Sequence, residues 1–229
     1  MLKNAFTAIL CGLILTGCCG VCKTVCSANK KYTIVAFGDS ITKASIGIYP
    51  DGKPWTTLLG EKLGDKYNVI NAGFNGNSAR EAMARCQKDV ISCNPDLVLL
   101  EFGGNNNDPF NKARQVSLEE LKKHLADFKA MLPAKTKVVV VTFPPVIDEK
   151  HWIHTQLPDL KLDEALEVYR NTTREFAAAN GYPVFDLYKI IYPDRYKLIL
   201  DDGVHLNQAG QVVFAEKMFE LLQKEGICK

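Results

Sequence analysis

A serine with the surroundings of a nucleophile stands near the start of the chain. Ser40 belongs to Gly38-Asp39-Ser40, which follows the apolar run of residues 33–37, so the sequence predicts a strand that ends in a tight turn. In open α/β sheets, ligands bind at the carboxyl ends of the strands. Ser40 can therefore act as a nucleophile if the chain supplies a base and oxyanion donors. The simpler alternative is that Asp39 or Ser40 only caps the next helix.

A base and its partner lie close together near the end of the chain. Asp202 and His205 are three residues apart, just before a predicted final helix. Histidine is the natural base for a serine because its pKa lies near neutrality, and a carboxylate on the other ring nitrogen fixes its tautomer. The alternative interpretation is that Asp202 caps the helix and His205 is an ordinary surface residue.

Two turns rich in glycine and asparagine offer hydrogen-bond donors. Residues 71–78 follow the second predicted strand, and a glycine there lets the backbone approach a ligand, so the Gly73 amide could face an oxyanion. Residues 102–108 follow the third predicted strand, and the side-chain amide of Asn105 is a second donor. A plain polar turn explains each composition equally well when it is considered alone.

The elements that must position these residues alternate along the chain. Apolar runs predict five strands, at residues 33–37, 68–71, 96–102, 137–143 and 182–186. Apolar stripes and capping patterns predict helices that start near Trp55 and Ser117, and two more over residues 162–179 and 208–224. This order predicts a three-layer α/β/α sandwich around a central, mainly parallel five-stranded sheet.

The four motifs together resemble a known family. Gly38-Asp39-Ser40, Gly73, Gly103-x-Asn105 and Asp202-x-x-His205 are similar, in order and spacing, to the four sequence blocks of the SGNH/GDSL hydrolases. The resemblance runs from about residue 32 to the C-terminus and implies the flavodoxin-like fold of that family. It also implies Ser40 as nucleophile, His205 as base and Asp202 as its orienting acid. The implied oxyanion donors are the Ser40 amide, the Gly73 amide and the Asn105 side chain, with no metal or organic cofactor.

One position departs from the family pattern. Asn106 stands where the third block usually has an aspartate, and the carboxylate of Asp108 comes two positions late. This change concerns local hydrogen bonding more than the three catalytic residues. The run of three asparagines at 105–107 leaves the register of the motif open, with Asn106 as the fallback oxyanion donor. Further along, His151 and His154 flank Trp152 in the loop after the fourth strand, which we expect to wall the substrate pocket. These two histidines have no convenient third ligand, so no metal site is predicted.

The first residues have the pattern of a targeting segment. Residues 1–17 combine a positive charge, a short apolar run and small residues, which is typical of a secretory signal. Their Leu-Thr-Gly-Cys end resembles a bacterial lipobox, and this resemblance implies lipidation at Cys18. We expect residues 18–31 to be a tether and residues 32–229 to be the catalytic domain, held at the bacterial cell envelope by the lipid alone. An ordinary cleaved signal or an uncleaved anchor is the alternative.

Composition and cysteine content limit the remaining choices. The chain has 229 residues, enough for one medium domain with a tail, and its net charge of +2 without a basic stripe gives no support for nucleic-acid binding. Cys86 and Cys93 could form a disulfide only if the helix that holds Cys86 ends before Cys93.

The sequence therefore predicts a serine esterase for short acyl esters, with acetylated carbohydrates as substrates by analogy. Three alternatives stay open: a lysophospholipase or thioesterase, an O-acetyltransferase that uses the same three residues, and a non-catalytic envelope binding protein. The sequence leaves the oligomeric state open.

Overall fold

A parallel five-stranded sheet lies at the centre of the protein. The structure is a computed structural model that describes residues 30–46 and 52–228. The strands pair in the order β2-β1-β3-β4-β5, and every pair is parallel. They are β1 Tyr32–Gly38, β2 Tyr67–Gly73, β3 Leu97–Glu101, β4 Lys137–Val141 and β5 Val184–Phe185. The predicted α/β fold with a parallel five-stranded sheet is confirmed.

Helices pack on both faces of this sheet. In chain order they are α1 Ser40–Lys43, α2 Trp55–Leu63, α3 Ala79–Asp89, α4 Leu118–Met131, α5 Trp152–Gln156, α6 Leu162–Asn180, α7 Leu187–Ile191, α8 Arg195–Leu198 and α9 Gln208–Lys224. Strand side chains alternate between two apolar clusters, because successive residues of a strand point to opposite faces. Ile34 and Leu99 pack with α2 and α9 on one face, and Val35 and Leu100 pack with α3 and α4 on the other.

A stack of aromatic rings ties the first helices to the last one. Trp55 of α2 stacks on Phe214 of α9 with ring centroids 4.0 Å apart, and Phe185 of β5 also stacks on Phe214, with ring centroids 5.0 Å apart. The indole N–H of Trp55 donates to the Ile41 carbonyl at 3.1 Å. Because Ile41 belongs to α1, this bond fixes the short helix that begins with Ser40.

Strands β3 and β4 end earlier than predicted, and the residues that follow them border the cleft described below. β3 ends at Glu101 because Gly103, two residues further, adopts φ +148, which favours glycine. β4 ends at Val141, and the carbonyls of Phe143 and Pro144 accept hydrogen bonds from the buried Arg170 guanidinium instead of a strand. Arg170 therefore holds the loop after β4 against α6.

The three cysteines in the described part of the chain are free. Helix α3 ends at Asp89, before Cys93, so the condition for a bridge is met, yet Cys86, Cys93 and Cys228 remain unpaired. Burial raises the pKa of the Cys86 thiol to about 11, which keeps it protonated and unreactive.

The predicted signal at residues 1–17, Cys18 and almost all of the predicted tether at 18–31 lie outside the described residues. Among the helices of residues 30–46 and 52–228, none is long and apolar enough to cross a membrane.

Candidate active site

The fold brings Ser40, Asp202 and His205 together. Ser40 is the first residue of α1 and is separated from the end of β1 by Asp39 alone, and the other two lie in the loop before α9. His205 Nε2 lies 2.9 Å from Ser40 Oγ, and His205 Nδ1 lies 2.7 Å from Asp202 Oδ2. The tautomer with hydrogen on Nδ1 satisfies both contacts, because Nδ1–H then donates to Asp202 and Nε2 accepts from the serine hydroxyl.

Asp202 is held as a carboxylate. Its Oδ1 accepts hydrogen bonds from the amides of Val204 at 2.9 Å and His205 at 3.0 Å. Partial burial raises the pKa of Asp202, but the hydrogen bonds from the His205 ring and from these two amides outweigh burial and lower the pKa to about 2. The side chain that contacts the imidazole is therefore negatively charged at neutral pH.

The site lies where the order of the strands reverses. β1 has β2 on one side and β3 on the other, and crevices at such switch points are where open α/β sheets bind ligands. Arg85 of α3 closes the β1–β2 side by donating to the carbonyls of Gly38 at 2.8 Å and Ala72 at 2.7 Å and to Asn77 Oδ1 at 2.6 Å. The loop after β2 is thereby fixed beside Ser40.

Asp39 does more than cap a helix. Its Oδ1 accepts from the Ile41 amide at 2.9 Å, which is the capping bond expected for α1. Its Oδ2 accepts from Asn105 Nδ2 at 3.0 Å. The residue is fully buried, and burial raises its pKa to about 6 against the hydrogen bonds that favour the charged form.

The two asparagines of the third motif have different tasks. Asn105 lines the same cleft as Ser40, and its Nδ2 donates to Asp39 Oδ2 and to the Asn77 carbonyl at 3.2 Å. Asn106 is buried, and its Oδ1 accepts from the Ala79 amide at 2.9 Å, so it anchors the start of α3. Of these two side chains, Asn106 therefore supports the fold, whereas Asn105 lines the cleft.

The glycine loop after β2 presents a second glycine that the sequence patterns did not single out. The Gly73 amide donates to Asn71 Oδ1 at 3.0 Å, and its Cα packs directly on the backbone of Lys43. Gly76 adopts φ +74 and lies against Arg114, a residue of the cleft. Its amide makes no hydrogen bond to the residues that the structure describes. The only sequence signal for Gly76 was its place in a glycine-rich turn.

A cleft of about 300 Å³ opens beside Ser40. The buried side chains of Phe143, Val146 and Leu166 provide apolar lining, and Asn107 and Asp108 provide polar lining on another side. Residues of the loop after β4 lie where the sequence predicted a wall of the pocket. Arg114 also borders the cleft and forms a 3.6 Å ion pair with Asp108.

Two aromatic rings stand close together beside the cleft. Phe110 and Trp152 are each about half exposed, and their ring centroids are 5.3 Å apart. Trp152 lines the cleft, whereas Phe110 comes from the loop after β3. The sequence predicted Trp152 as part of the pocket wall but gave no indication of Phe110 or Arg114. Their spacing in the chain does not show that the loop after β3 and the loop after β4 meet beside the cleft.

His151, which precedes Trp152, caps a helix and lines the cleft. His151 Nδ1 accepts from the Ile153 amide at 3.2 Å and caps α5, and burial lowers the pKa of His151. Within residues 30–46 and 52–228, no group of three or more His, Cys, Asp or Glu side chains is placed to hold a metal ion.

Comparisons with known proteins agree with this geometry. The model of the GDSL-like lipase/acylhydrolase family matches residues 36–213. The isoamyl acetate-hydrolyzing esterase 1 homolog of Rattus norvegicus is 29% identical over 207 residues, 84% of this chain and 82% of the relative. The lipoprotein YqeF of Bacillus subtilis is 27% identical over 128 residues, 54% of this chain and 53% of the relative. The solved acetyl xylan esterase AlAXEase has a TM-score of 0.68 at 28% identity, covering 83% of this chain and 99% of that one.

The α/β sandwich and these relatives define a carboxylic ester hydrolase of the SGNH/GDSL type. The chain belongs to the GDSL-like lipase/acylhydrolase family, which confirms the resemblance seen in its four motifs.

Proposed function

We propose that this enzyme hydrolyses short acyl esters through an acyl-enzyme on Ser40, with His205 as base and Asp202 as the acid that orients it. The observation that carries the proposal is the continuous chain of hydrogen bonds, 2.9 Å from Ser40 to His205 and 2.7 Å from His205 to Asp202. Such a chain lets the imidazole take the hydroxyl proton while the carboxylate stabilises the imidazolium that forms.

The proposed reaction has two halves. Ser40 Oγ attacks the ester carbonyl while its proton moves to His205 Nε2, and the tetrahedral intermediate collapses as Nε2–H protonates the leaving alcohol. Water then gives a proton to His205 and attacks the acyl-enzyme carbonyl. The acid leaves when Ser40 Oγ takes that proton back, so the enzyme returns unchanged.

The oxyanion is proposed to form beside the Ser40 amide, the Asn105 side chain and a glycine amide of the loop after β2. Asn105 has both Nδ2 hydrogens engaged in the resting site, so the oxyanion would replace the Asn77 carbonyl as acceptor while the bond to Asp39 stays in place. Gly73 would have to release Asn71 before donating, whereas the Gly76 amide is free of partners among the described residues. We therefore propose Gly76 as the glycine donor, because among the described residues its amide has no hydrogen bond to give up.

The proposed substrates are acetyl and other short esters, with acetylated carbohydrates as the preferred group. Two relatives carry names that refer to acetate and acetyl esters. A cleft of about 300 Å³ is at the small end of ligand pockets. The exposed Phe110–Trp152 pair offers a flat apolar surface on which a sugar ring can stack, and the neighbouring Arg114 and Asp108 can bind its hydroxyl groups.

We also propose that residues 1–17 are removed and that Cys18 is lipidated, which would place residues 32–229 at the bacterial envelope. The lipobox-like sequence supports this proposal, as does the lipoprotein of Bacillus subtilis among the relatives. Metabolic labelling with a radioactive fatty acid tests it, because Cys18→Ser should abolish incorporation.

The decisive experiment removes the hydroxyl. Ser40→Ala should lower hydrolysis of p-nitrophenyl acetate by at least about 10⁴-fold and abolish fluorophosphonate labelling, because the proposed acyl-enzyme forms on this hydroxyl. Ser45→Ala, a nearby exposed hydroxyl that pairs with Asn75, is the matched control and should keep both. Retained turnover in Ser40→Ala at an unchanged melting temperature would rule out the mechanism.

A substrate panel then separates the remaining classes. Acetylated xylooligosaccharides should be hydrolysed faster than long-chain lysophospholipids or thioesters, and an added glycan acceptor should not gain acetyl groups. Trp152→Ala should raise KM for the oligosaccharide about 2- to 10-fold, since aromatic contacts of this kind are worth about 0.5–1.5 kcal/mol. Its effect on p-nitrophenyl acetate should be small, and Tyr192→Ala, at another exposed aromatic residue, is the control.

A further inference from the structure

A second acidic side chain lies buried directly behind the catalytic serine. Glu101 is the last residue of β3 and is 1% exposed. Its Oε2 accepts hydrogen bonds from the Asp39 amide at 3.2 Å and from Thr42 Oγ1 at 3.1 Å. This approach requires Gly38, because a Cβ at that position would lie only 2.6 Å from Glu101 Oε2.

The hydrogen bonds around Glu101 match a neutral acid better than a carboxylate. Oε2 accepts hydrogen bonds from two donors, whereas Oε1 is buried and accepts none from the described residues. This asymmetry is typical of a protonated carboxyl, in which one oxygen accepts hydrogen bonds and the other carries the proton. Burial and the neighbouring Asp39 raise the pKa of Glu101 well above its usual range.

Asp39 is the group that can receive this proton. A proton donated by Glu101 would favour the charged form of Asp39, in the same direction as the bonds from the Ile41 amide and the Asn105 side chain. Two carboxyls buried side by side cannot both be charged at low cost, and sharing one proton removes the conflict. Asp39 then keeps the negative charge that holds Asn105 Nδ2 at 3.0 Å.

We propose that Glu101 acts as a neutral acid that fixes the Asp39 carboxylate, and that Asp39 in turn fixes the Asn105 side chain beside Ser40. Glu101 is a positioning residue, since it touches neither substrate nor reacting atoms. The proposal rests on the proposed function only for the role of Asn105 as oxyanion donor. It predicts that Glu101 influences the chemical step through Asn105, because a donor that is held in advance stabilises the oxyanion without reorganisation.

Two substitutions of similar size test whether the hydrogen bonds of a neutral side chain at position 101 are sufficient for activity. Glu101→Gln keeps one acceptor and one donor, so kcat for p-nitrophenyl acetate should stay within about 3-fold of wild type. Glu101→Leu removes both and should lower kcat about 10- to 100-fold with little change in KM, since loss of an oxyanion donor costs about 10²- to 10³-fold. A loss in Glu101→Gln as large as in Glu101→Leu would overturn the proposal.

A double-mutant cycle tests whether the effect passes through Asn105. Asn105→Ala alone should lower kcat, and adding Glu101→Leu to it should cost almost nothing more, because the positioned group is already absent. If Glu101 only supported the fold, Glu101→Leu would lower kcat by the same factor with or without Asn105→Ala. Equal fold-losses in the two backgrounds would therefore contradict the assignment.

A measurement on the unaltered enzyme keeps the test independent of folding and of turnover. In protein labelled with ¹³C at glutamate carboxyls, the Glu101 signal should have the chemical shift of a protonated acid at pH 7. The signal is assigned by its absence in Glu101→Gln. A carboxylate shift at pH 7 would overturn the inference even if Ser40→Ala is inactive. A protonated shift together with an active Ser40→Ala would instead refute the proposed mechanism.

Discussion

Two aspartates flank Ser40 and occupy opposite environments. Asp202 retains 39% of its side-chain exposure and faces the His205 ring, and its pKa is lowered to about 2. Asp39 is fully buried behind the serine, and its pKa is raised to about 6. Asp39 accepts two hydrogen bonds, whereas Asp202 accepts three, one of them from the His205 ring. Burial adds to this difference, because it penalises the charge of the fully buried Asp39 more than that of Asp202.

This contrast indicates different roles for the carboxylates of Asp39 and Asp202. Asp202 supplies charge to a ring that becomes cationic during the reaction. Asp39 supplies geometry, because its carboxylate joins the start of α1 to the Asn105 side chain. The buried Asp39 has a second acid, Glu101, beside it, whereas the exposed Asp202 has none in the proposed mechanism.

The largest effect should come from the exposed aspartate. Asp202→Asn leaves the shape of the loop but puts the wrong hydrogen-bonding group on His205 Nδ1, so kcat should fall about 10³- to 10⁴-fold. Steady-state kinetics with p-nitrophenyl acetate measure it. A fall of less than 10-fold would show that the charge at position 202 is not what orients the imidazole.

A smaller effect is expected from the buried aspartate. Asp39→Asn has one acceptor oxygen, which can serve the Ile41 amide or Asn105 but not both, so kcat should fall about 10- to 100-fold at nearly constant KM. The comparison is made on the same substrate as for Asp202→Asn. If the two variants lose activity equally, the division between charge and geometry is wrong.

The smallest effect, on stability, distinguishes the two sites by its sign. The folded pKa of Asp39 is raised, so the folded state binds more protons than the unfolded state between about pH 4 and 6, and Asp39 contributes less stability as pH rises through this range. The pKa of Asp202 is depressed, so its contribution is present above the unfolded value near 4 and is lost only as pH falls towards 2.

Urea unfolding at pH 4.5 and pH 7 separates these contributions. Relative to wild type, Asp39→Asn should lose about 1 to 3 kcal/mol of the stabilisation gained on going from pH 7 to pH 4.5, at about 1.4 kcal/mol per pKa unit. Asp202→Asn should leave this pH difference nearly unchanged, since Asp202 is ionised at both pH values. An unchanged pH difference in Asp39→Asn would show that burial does not raise the pKa of Asp39.

Much of the fold follows from local patterns in the chain. The apolar runs predict the strands because a sheet buried on both faces needs them, and the alternation with helices makes the sheet parallel. Parallel strands place their carboxyl ends at one edge, so motifs after β1 and β3 had to meet there. This is why Ser40 and Asn105 could be placed together although 65 residues separate them.

Other features depend on packing between segments that carry no joint signal. A glutamate at the end of an apolar strand is conspicuous, yet only the approach of Gly38 and Asp39 makes Glu101 part of the site. The preference for Gly76 over Gly73 likewise came from the folded chain, because the Gly73 amide donates to Asn71 and the Gly76 amide has no partner among the described residues.

Residue types and their order were enough to identify the parallel α/β fold and the serine, histidine and aspartate at its edge. They were enough because backbone geometry and chemical type are local properties. The protonation of Glu101, the pKa values of Asp39 and Asp202 and the bonds of Asn105 came from the folded chain alone. Those properties depend on burial and on distances of a few ångströms between residues far apart in sequence, and only the packed molecule defines them.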